Sequence, residues 1–275
     1  MIKAVFIDID GTLLTSKKEV TEGTKNIINK CIEKGIKIIL SSGRSRVITM
    51  EYQKIAGTSP YIISSNGAEA YDIENKKEVY SEPISKEVVK ELLMYSQKND
   101  YKIIFNYGSE LVMNKNFYPD EAENVKTEKE LLEIADKEKI LQCVVSNKDF
   151  EKMKEFKRYL SKSNTNIKIE NESKRLKNPD LEPSSNYYCD ITSLLISKGK
   201  AVKKICEYLD LKSEEIAVIG DGENDISMFE VTDNSVAMGN ALEKVKEKAK
   251  FVTNSNDEEG VAKYLESIIY HCHHL

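Results

Sequence analysis

The sequence is poor in several residue types, and each shortage excludes a class of function. It contains no tryptophan, and its three histidines, His271, His273 and His274, all lie in the last five of the 275 residues. The body of the chain therefore has no histidine to serve as a general base or as a zinc ligand. The five cysteines include no Cys-x-x-Cys pair, so we expect reduced thiols rather than a disulfide framework.

A basic excess and a long apolar run are also missing. There are 46 acidic against 41 basic side chains, a net charge of −5, whereas nucleic-acid-binding domains usually carry a basic excess. The apolar runs are short, such as 36–40 interrupted by Lys37, far below the ~20 residues of a spanning helix. Because Asp8 arrives too early for a secretory signal, we predict a cytoplasmic protein without nucleic-acid or membrane partners. The sequence gives no indication of oligomeric state.

Apolar segments at both ends of the chain alternate between strand-like and helical spacing. Residues 3–9 form an apolar, β-branched run, and residues 24–34 have helical spacing ended by Gly35. Two further strands are predicted at 36–40 and 61–64. Strand, helix and strand at this spacing predict a parallel sheet covered by helices, and the same rhythm returns from Lys198.

The middle of the chain has a different rhythm. Short strands, a hairpin around residues 107–109 and a polar loop at 172–185 predict an α+β module over 84–190. We therefore predict an α/β fold with a Rossmann-like core of residues 1–83 and 191–275, interrupted by an inserted α+β domain.

The first chemical motif is Asp8-Ile9-Asp10-Gly11-Thr12, at the end of the first strand. Residues two apart in a strand point the same way, so Asp8 and Asp10 are predicted to share one side at the edge where open α/β sheets bind ligands. Crowded carboxylates favour a divalent cation with oxygen ligands. Taken alone, the pair also fits a capping acid beside an ordinary turn.

The second motif, Gly220-Asp221-Gly222-Glu223-Asn224-Asp225, follows the strand that ends at Ile219. Asp221 and Asp225 are four residues apart and would face one site if a helix begins there. The alternative is a plain helix N-terminus, where acidic side chains are favoured by the helix dipole.

Two further motifs contribute groups that bind anions. Ser41-Ser42-Gly43-Arg44 combines a hydroxyl with backbone N–H groups at a strand-to-helix turn, and an ordinary turn is the alternative. In Ser197-Lys198-Gly199-Lys200, a lysine begins a helix against the helix dipole, which makes sense if Lys198 faces an anion or the carboxylates. Lys200 is the competing candidate, and Arg46 is interpreted as a solvated helix residue.

Taken in their order along the chain, the four motifs resemble the haloacid dehalogenase superfamily, and specifically its Cof-type phosphatases. The resemblance continues through Asn66-Gly67, through 237–241 and through 252–261, so it covers the core from end to end. The insert resembles the family's large cap only in size and element order. The resemblance implies a phosphatase whose cap selects the substrate by its non-phosphate part.

The resemblance also implies roles for individual residues. Asp8 would be the nucleophile that forms an aspartyl phosphate, and Asp10 the general acid and then the general base. Mg²⁺ would be held by the Asp8 side chain, the Asp10 backbone carbonyl and Asp221, with Asp225 as a ligand or close by.

The predicted phosphate-binding groups are the Ile9 and Gly43 N–H groups, Ser42, Lys198 and Asn224. Arg44 and Asn66 are candidate substrate contacts.

We therefore predict a Mg²⁺-dependent phosphatase of small phosphomonoesters, either sugar phosphates or phosphorylated cofactors. Within the superfamily, Asp10 favours phosphoryl transfer over dehalogenation, because a carbon–halogen bond needs no protonated alcohol leaving group. The alternatives are a phosphomutase or sugar-phosphate phosphatase of a related branch and, from a different class, a signalling module whose Asp8 merely accepts phosphate.

Overall fold

The computed structural model describes residues 1–115, 124–163, 166–172 and 187–270. By its internal contacts the chain forms two compact units, which we call the core unit (Met1–Ser81 with Ile196–Leu275) and the insert (Glu82–Leu195). Most of the predicted 172–185 loop and the histidine-containing tail lie outside the described residues. No described helix is both long enough and apolar enough to cross a membrane.

The core unit is built on an eight-stranded sheet. Numbered along the whole chain, its strands are β1 (Ala4–Ile7), β2 (Lys37–Ser41), β3 (Tyr61–Ser64), β4 (Glu69–Asp72), β5 (Lys77–Ser81), β11 (Ile216–Gly220), β12 (Ser235–Ala237) and β13 (Phe251–Val252). Their spatial order is β13-β12-β11-β1-β2-β3-β4-β5. The strands from β13 to β3 run parallel, and β4 and β5 add antiparallel pairs at one edge.

Helices cover both faces of this sheet. The core-unit helices are α1 (Glu22–Glu33), α2 (Arg46–Ala56), α6 (Lys198–Leu209), α7 (Ile226–Phe229), α8 (Glu243–Lys246) and α9 (Gly260–Tyr270). Alternate residues of β1 enter two different hydrophobic clusters: Val5 and Ile7 pack with α1 and α9, whereas Phe6 packs with α6 and α7. Burial on both faces explains why the central parallel strands β1 and β11 are continuously apolar.

The insert has its own sheet and its own hydrophobic core. Its elements are α3 (Lys86–Lys98), β6 (Lys102–Tyr107), β7 (Glu110–Met113), α4 (Glu128–Lys137), β8 (Gln142–Asn147), α5 (Phe150–Lys162), β9 (Ile167–Glu172) and β10 (Tyr187–Ser193). The strands pair antiparallel in the order β7-β6-β8-β10-β9. Side chains of α3, α4 and α5 pack on one sheet face around Phe105, Val145 and Phe156.

The predicted fold class, a parallel Rossmann-like core with an inserted α+β domain, is confirmed. The structure differs from the prediction in detail. Strands β4 and β5 were not predicted, because Glu69, Asp72 and Lys77 interrupt their apolar pattern at the edge of the sheet. The predicted boundary at residue 190 falls inside β10, and the two units instead separate after Leu195.

Candidate active site

The candidate site is formed where neighbouring parallel strands end. Because β11, β1, β2 and β3 are adjacent, the segments after them meet at one edge of the sheet. Asp8 directly follows β1, and its N–H donates to the carbonyl of Ile219 (3.0 Å), so the parallel pairing continues to the start of the motif. The Asp8 side chain is thereby held beside the segment that follows β11.

A buried lysine joins two of the carboxylates. Lys198, the first residue of α6, is 1% exposed, and its Nζ lies 2.6 Å from Asp8 Oδ1 and 2.6 Å from Asp225 Oδ1. Burial lowers the pKa of Lys198, but the carboxylates of Asp225 and Asp8 outweigh it and raise that pKa above its usual range. The side chain therefore stays charged. The competing candidate, Lys200, instead has its Nζ 5.4 Å from the centre of the Tyr80 ring.

The segment after β11 is folded around Asp225. The second oxygen of this carboxylate, Oδ2, accepts hydrogen bonds from the N–H groups of Asp221 (3.0 Å) and Gly222 (2.9 Å). A Cβ atom at Gly220 would lie 2.5 Å from Asp225, so only glycine allows the strand to end this close to the carboxylate. The local sequence thus places Asp225 under the loop and leaves Asp221 beside it.

Three carboxylates gather in this region. Ligand atoms of Asp8, Asp221 and Asp225 all lie within 4.8 Å of one another. Burial and the charge of Asp225 raise the pKa of Asp221 to about 6, and burial raises the pKa of Asp8 well above its usual range against the pull of Lys198. Two buried carboxylates and the half-buried Asp221, with a single ammonium group among them, offer the hard oxygen donors that suit a magnesium ion.

The turn after Asp10 is fitted closely against Asp221. Gly11 has a φ of +82°, and a Cβ atom there would lie 2.3 Å from Asp221 Oδ2. The hydroxyl of Thr12 donates to Asp221 Oδ1 at 3.0 Å. The Asp-Gly-Thr order of the first motif therefore has a steric cause, because the second position must take a left-handed conformation without a side chain.

The carboxylate of Asp10 points to different partners from that of Asp8. Arg44 binds it through two nitrogens, at 2.6 and 2.7 Å, and Lys18 Nζ lies at 2.8 Å. Burial raises the pKa of Asp10, but the hydrogen bonds from Arg44 and Lys18 outweigh it and bring the pKa to about 2. Asp10 is therefore ionised in this arrangement, and its side chain is not one of the three clustered carboxylates.

The turn after β2 is held by its own hydrogen bonds and by the segment after β3. Ser42 is buried, and its hydroxyl accepts from the N–H of Arg44 at 3.1 Å. The N–H groups of Ser65 and Asn66 donate to the carbonyls of Arg44 (2.8 Å) and Ser42 (3.0 Å). The Asn66 side chain in turn accepts from Asn224 Nδ2 at 2.9 Å. These contacts tie three of the predicted segments together.

A buried ion pair beside this turn was not predicted. Arg46, interpreted from sequence as a solvated residue, has a side chain that is only 13% exposed and binds Glu69 through two nitrogens. Glu69 is fully buried and also accepts from the hydroxyl of Ser64 at 2.9 Å, while the guanidinium of Arg46 lies 3.9 Å from the centre of the Tyr71 ring. Two features of the sequence could have indicated this ion pair: arginine is scarce, and Glu69 lies between two alanines.

A second unpredicted contact set holds the segment after Asp10. Asn240 Nδ2 donates to the carbonyl of Gly11, and Asn256 Nδ2 to the carbonyl of Leu14, each at 2.8 Å. The N–H of Asn256 donates to Asn240 Oδ1 at 3.0 Å, which joins the two asparagines. Both belong to stretches that carry the resemblance, 237–241 and 252–261, yet their role could not be assigned from the sequence.

Comparisons with known proteins agree over almost the whole chain. Residues 5–265 match the model of the family described as haloacid dehalogenase-like hydrolase. The chain is similar to phosphatase YwpJ of Bacillus subtilis (strain 168), with 28% identity over 286 residues covering 98% of this chain and 100% of that protein. It is also similar to 5-amino-6-(5-phospho-D-ribitylamino)uracil phosphatase YcsE of the same organism, with 28% identity over 273 residues covering 95% and 94%.

A solved structure shows the same likeness in three dimensions. A haloacid dehalogenase-like hydrolase from Bacteroides thetaiotaomicron superposes with a TM-score of 0.82 and 28% identity, covering 98% of this chain and 100% of that one.

Proposed function

The chain belongs to the haloacid dehalogenase-like hydrolases, and we propose that it hydrolyses small phosphomonoesters with a bound Mg²⁺ through an aspartyl phosphate on Asp8. The observation that carries the proposal is the bridge of Lys198 between Asp8 and Asp225, with Asp221 completing the carboxylate cluster. A nucleophile held beside one fixed cation and a cation-binding carboxylate pair is what phosphoryl transfer requires.

The class of enzyme rests on the comparisons. The relatives named above are phosphatases, and the chain is a phosphoric monoester hydrolase of the same family. Its cytoplasmic location stays a prediction.

The acidic cluster fits a magnesium ion by the chemistry of its donors. Asp8, Asp221 and the backbone carbonyl of Asp10 would hold the ion, with Asp225 as a further ligand or beside one, since its oxygens already accept from Lys198 and from two backbone N–H groups. When bound, Mg²⁺ would neutralise these carboxylates and polarise the phosphoryl group.

In the first half-reaction, a carboxylate oxygen of Asp8 attacks phosphorus while the bond from phosphorus to the ester oxygen breaks. That oxygen takes a proton from Asp10 and leaves as the alcohol, and Asp8 becomes the aspartyl phosphate. Because Asp10 is ionised while it binds Arg44 and Lys18, its acid role requires the carboxyl to leave these two partners and take up a proton.

In the second half-reaction, a water molecule loses a proton to the Asp10 carboxylate and attacks phosphorus. The bond between phosphorus and Asp8 breaks, which releases inorganic phosphate and leaves Asp10 protonated for the next cycle. Lys198 stays charged throughout and balances the negative charge on Asp8 and on the transferred group. The proposed donors to the phosphoryl oxygens are the N–H groups of Ile9 and Gly43, the Ser42 hydroxyl and Lys198.

The insert supports a polar leaving group. On the sheet face opposite its helices, strand alternation places buried polar side chains beside the half-buried Ile104 and Val144. The polar side chains are those of Lys102, Asn106, Gln142, Asp190 and Thr192. We propose that this face, which we call the polar face of the insert, selects substrates with a hydroxylated non-phosphate part. The relative that acts on a phosphorylated ribitylamino compound is consistent with such a leaving group.

The test is a panel of phosphomonoesters, including a pentitol phosphate, a hexose phosphate and p-nitrophenyl phosphate, assayed with Mg²⁺ for release of inorganic phosphate. We expect release from all three and the highest kcat/KM for a polyol or sugar phosphate. An isomerised sugar phosphate without free phosphate would indicate a mutase, and an absence of turnover with a stable phosphorylated Asp8 would indicate a signalling module.

A further inference from the structure

One hydrogen-bond donor beside the proposed phosphate site has no partner. Asn66 is 1% exposed, and among the residues that the structure describes its Nδ2 makes no hydrogen bond. A buried amide nitrogen that donates to nothing is costly, and native structures rarely keep one without a reason. The donor is therefore a candidate for binding a group that arrives from outside the chain.

The backbone that presents this donor is in an unfavourable conformation. Ser65, Asn66 and Gly67 have φ values of 50°, 57° and 92°, three consecutive residues in the left-handed region, and only the last is glycine. Such conformations concentrate at functional sites, where neighbouring structure holds them in place.

The segment is held by the loops that carry the proposed phosphate-binding groups. Its N–H groups donate to the carbonyls of Ser42 and Arg44, as described above. A Cβ atom at Gly67 would lie 2.3 Å from the carbonyl oxygen of Ser197, so the segment also packs against the residue before Lys198. Asn66 therefore sits where the segments after β2 and β3 meet the start of α6.

Asn224 determines which way the Asn66 amide faces. Asn224 Nδ2 donates to Asn66 Oδ1 at 2.9 Å, so the oxygen of the Asn66 amide is engaged and its nitrogen is the group left to donate. The same bond uses the amide nitrogen of Asn224, the side chain first predicted to bind phosphate.

We propose that Asn66 Nδ2 donates a hydrogen bond to a phosphoryl oxygen of the substrate, and that Asn224 is a positioning residue that holds the Asn66 amide in the required orientation. The proposal rests on the proposed function, because a phosphoryl group is the acceptor-rich ligand that the neighbouring Ser42 and Lys198 are expected to bind. The roles predicted from the sequence are therefore changed for both asparagines. Asn66, predicted as a substrate contact, becomes a catalytic residue that binds the phosphoryl group. Asn224, predicted to bind phosphate, acts through Asn66.

The test compares Asn66→Gly and Asn66→Asp with the wild type. Glycine accepts the left-handed backbone and removes only the amide, whereas aspartate keeps the shape but replaces the donor by a negative charge. We expect kcat/KM for p-nitrophenyl phosphate to fall about 100-fold in Asn66→Gly and further in Asn66→Asp, the size of effect found for one oxyanion donor. The inhibition constant of orthovanadate, which resembles the pentacoordinate phosphoryl group, should rise by a similar factor.

The role of Asn224 is tested by a double-mutant cycle. Asn224→Ala should lower kcat/KM about tenfold in the wild type and have almost no effect in Asn66→Gly, because its contribution is made through the Asn66 amide. Equal losses in both backgrounds would show that Asn224 contacts the phosphoryl group itself and would overturn its positioning role.

Controls separate this inference from the proposed function. Asn26→Asp adds the same charge at an exposed position of α1 and should leave kcat/KM and the vanadate constant unchanged. The inference is wrong if Asn66→Gly melts like the wild type and keeps its kcat/KM and vanadate inhibition within about threefold. In that case a wild type that turns over and an inactive Asp8→Asn variant would leave the proposed function standing. A wild type that hydrolyses no phosphomonoester would overturn the function and the inference with it.

Discussion

The core unit and the insert bury polar side chains in opposite ways. At the sheet edge of the core unit, buried charges touch one another: Lys198 binds Asp8 and Asp225, and Arg46 binds Glu69. Within the insert, the helix-covered side of the sheet carries the hydrophobic core, with the rings of Tyr95 and Tyr159 stacked 3.7 Å apart, and the buried Lys102, Asn106 and Gln142 lie on the other side.

We interpret this difference as a division between chemistry in the core unit and recognition in the insert. Among the described residues, the one group of acidic, histidine or cysteine side chains close enough together to hold a metal ion is Asp8, Asp221 and Asp225, in the core unit. The polar face of the insert carries amide, hydroxyl and charged groups, among them the hydrogen-bonded pair of Asn106 and Gln142. A change in the core cluster should therefore affect every substrate, and a change on the polar face of the insert only some.

The largest expected effect comes from removing the nucleophile. Asp8→Asn should lower kcat for p-nitrophenyl phosphate by about 1,000-fold or more, because no aspartyl phosphate can form. The fold should remain, since Lys198 keeps its contact with Asp225. Turnover and a thermal melt measure the two effects. Asp233→Asn, which neutralises an exposed acid of the same unit, serves as the control and should be fully active. Wild-type turnover in Asp8→Asn would remove the core cluster from the chemistry.

Metal removal is expected to have the next largest effect. Chelation with EDTA should lower kcat by about 100-fold or more for every substrate of the panel, and excess Mg²⁺ should restore it. If the proposed site is correct, the ion binds only the folded cluster, and Mg²⁺ should also raise the melting temperature of the wild type more than that of Asp221→Asn. Full activity in chelated buffer, or equal Mg²⁺ shifts in both proteins, would contradict the magnesium site.

The third prediction concerns the buried lysine. Lys198→Met should lower kcat about 100-fold and the free energy of unfolding of the metal-free protein by about 3–5 kcal/mol, because Asp8 and Asp225 lose the cation they share. Lys200→Met, two residues along the same helix, is the matched control, since its ammonium group lies over a tyrosine ring. If activity and chemical denaturation respond to Lys200→Met instead, the assignment of the lysine is wrong.

The fold class and the meeting of Asp8, Lys198, Asp221 and Asp225 could be predicted because they depend on local pattern. Apolar runs indicate buried parallel strands, and the carboxyl ends of such strands meet at one edge. The direction of the Asp10 side chain could not be predicted from this pattern. The rule that residues two apart share a side holds within a strand, but β1 ends at Ile7, before the motif begins.

Contacts between distant segments were not predictable in the same way. Arg46 has the spacing of an exposed helix residue, and only the fold brings it to Glu69 on β4. The left-handed conformation of Asn66 depends on hydrogen bonds to the turn after β2, which no local rule foresees. In both cases a polar group finds its partner on a segment distant in the sequence. The pattern of apolar residues indicates which positions are buried, but it does not indicate which polar groups bind each other.

The smallest expected effect, from a change on the polar face of the insert, should also depend most on which substrate is used. On the polar face of the insert, Asn106 Nδ2 donates to Gln142 Oε1 at 3.1 Å, and both side chains are buried. Replacing both residues by leucine removes the donor and the acceptor of this hydrogen bond together. We expect KM for a pentitol or hexose phosphate to rise about three- to tenfold, the loss of one or two hydrogen bonds to a hydroxylated group.

The same double variant should leave kcat and KM for p-nitrophenyl phosphate within about twofold, because that leaving group has no hydroxyls to lose contact with and the core cluster is unchanged. The ratio of the two KM changes, measured side by side with a thermal melt, is therefore the informative quantity. Equal changes for both substrates would mean that the insert influences turnover generally, and the division between chemistry in the core unit and recognition in the insert would fail. A rise confined to the hydroxylated substrates would instead place the choice of leaving group on β6 and β8.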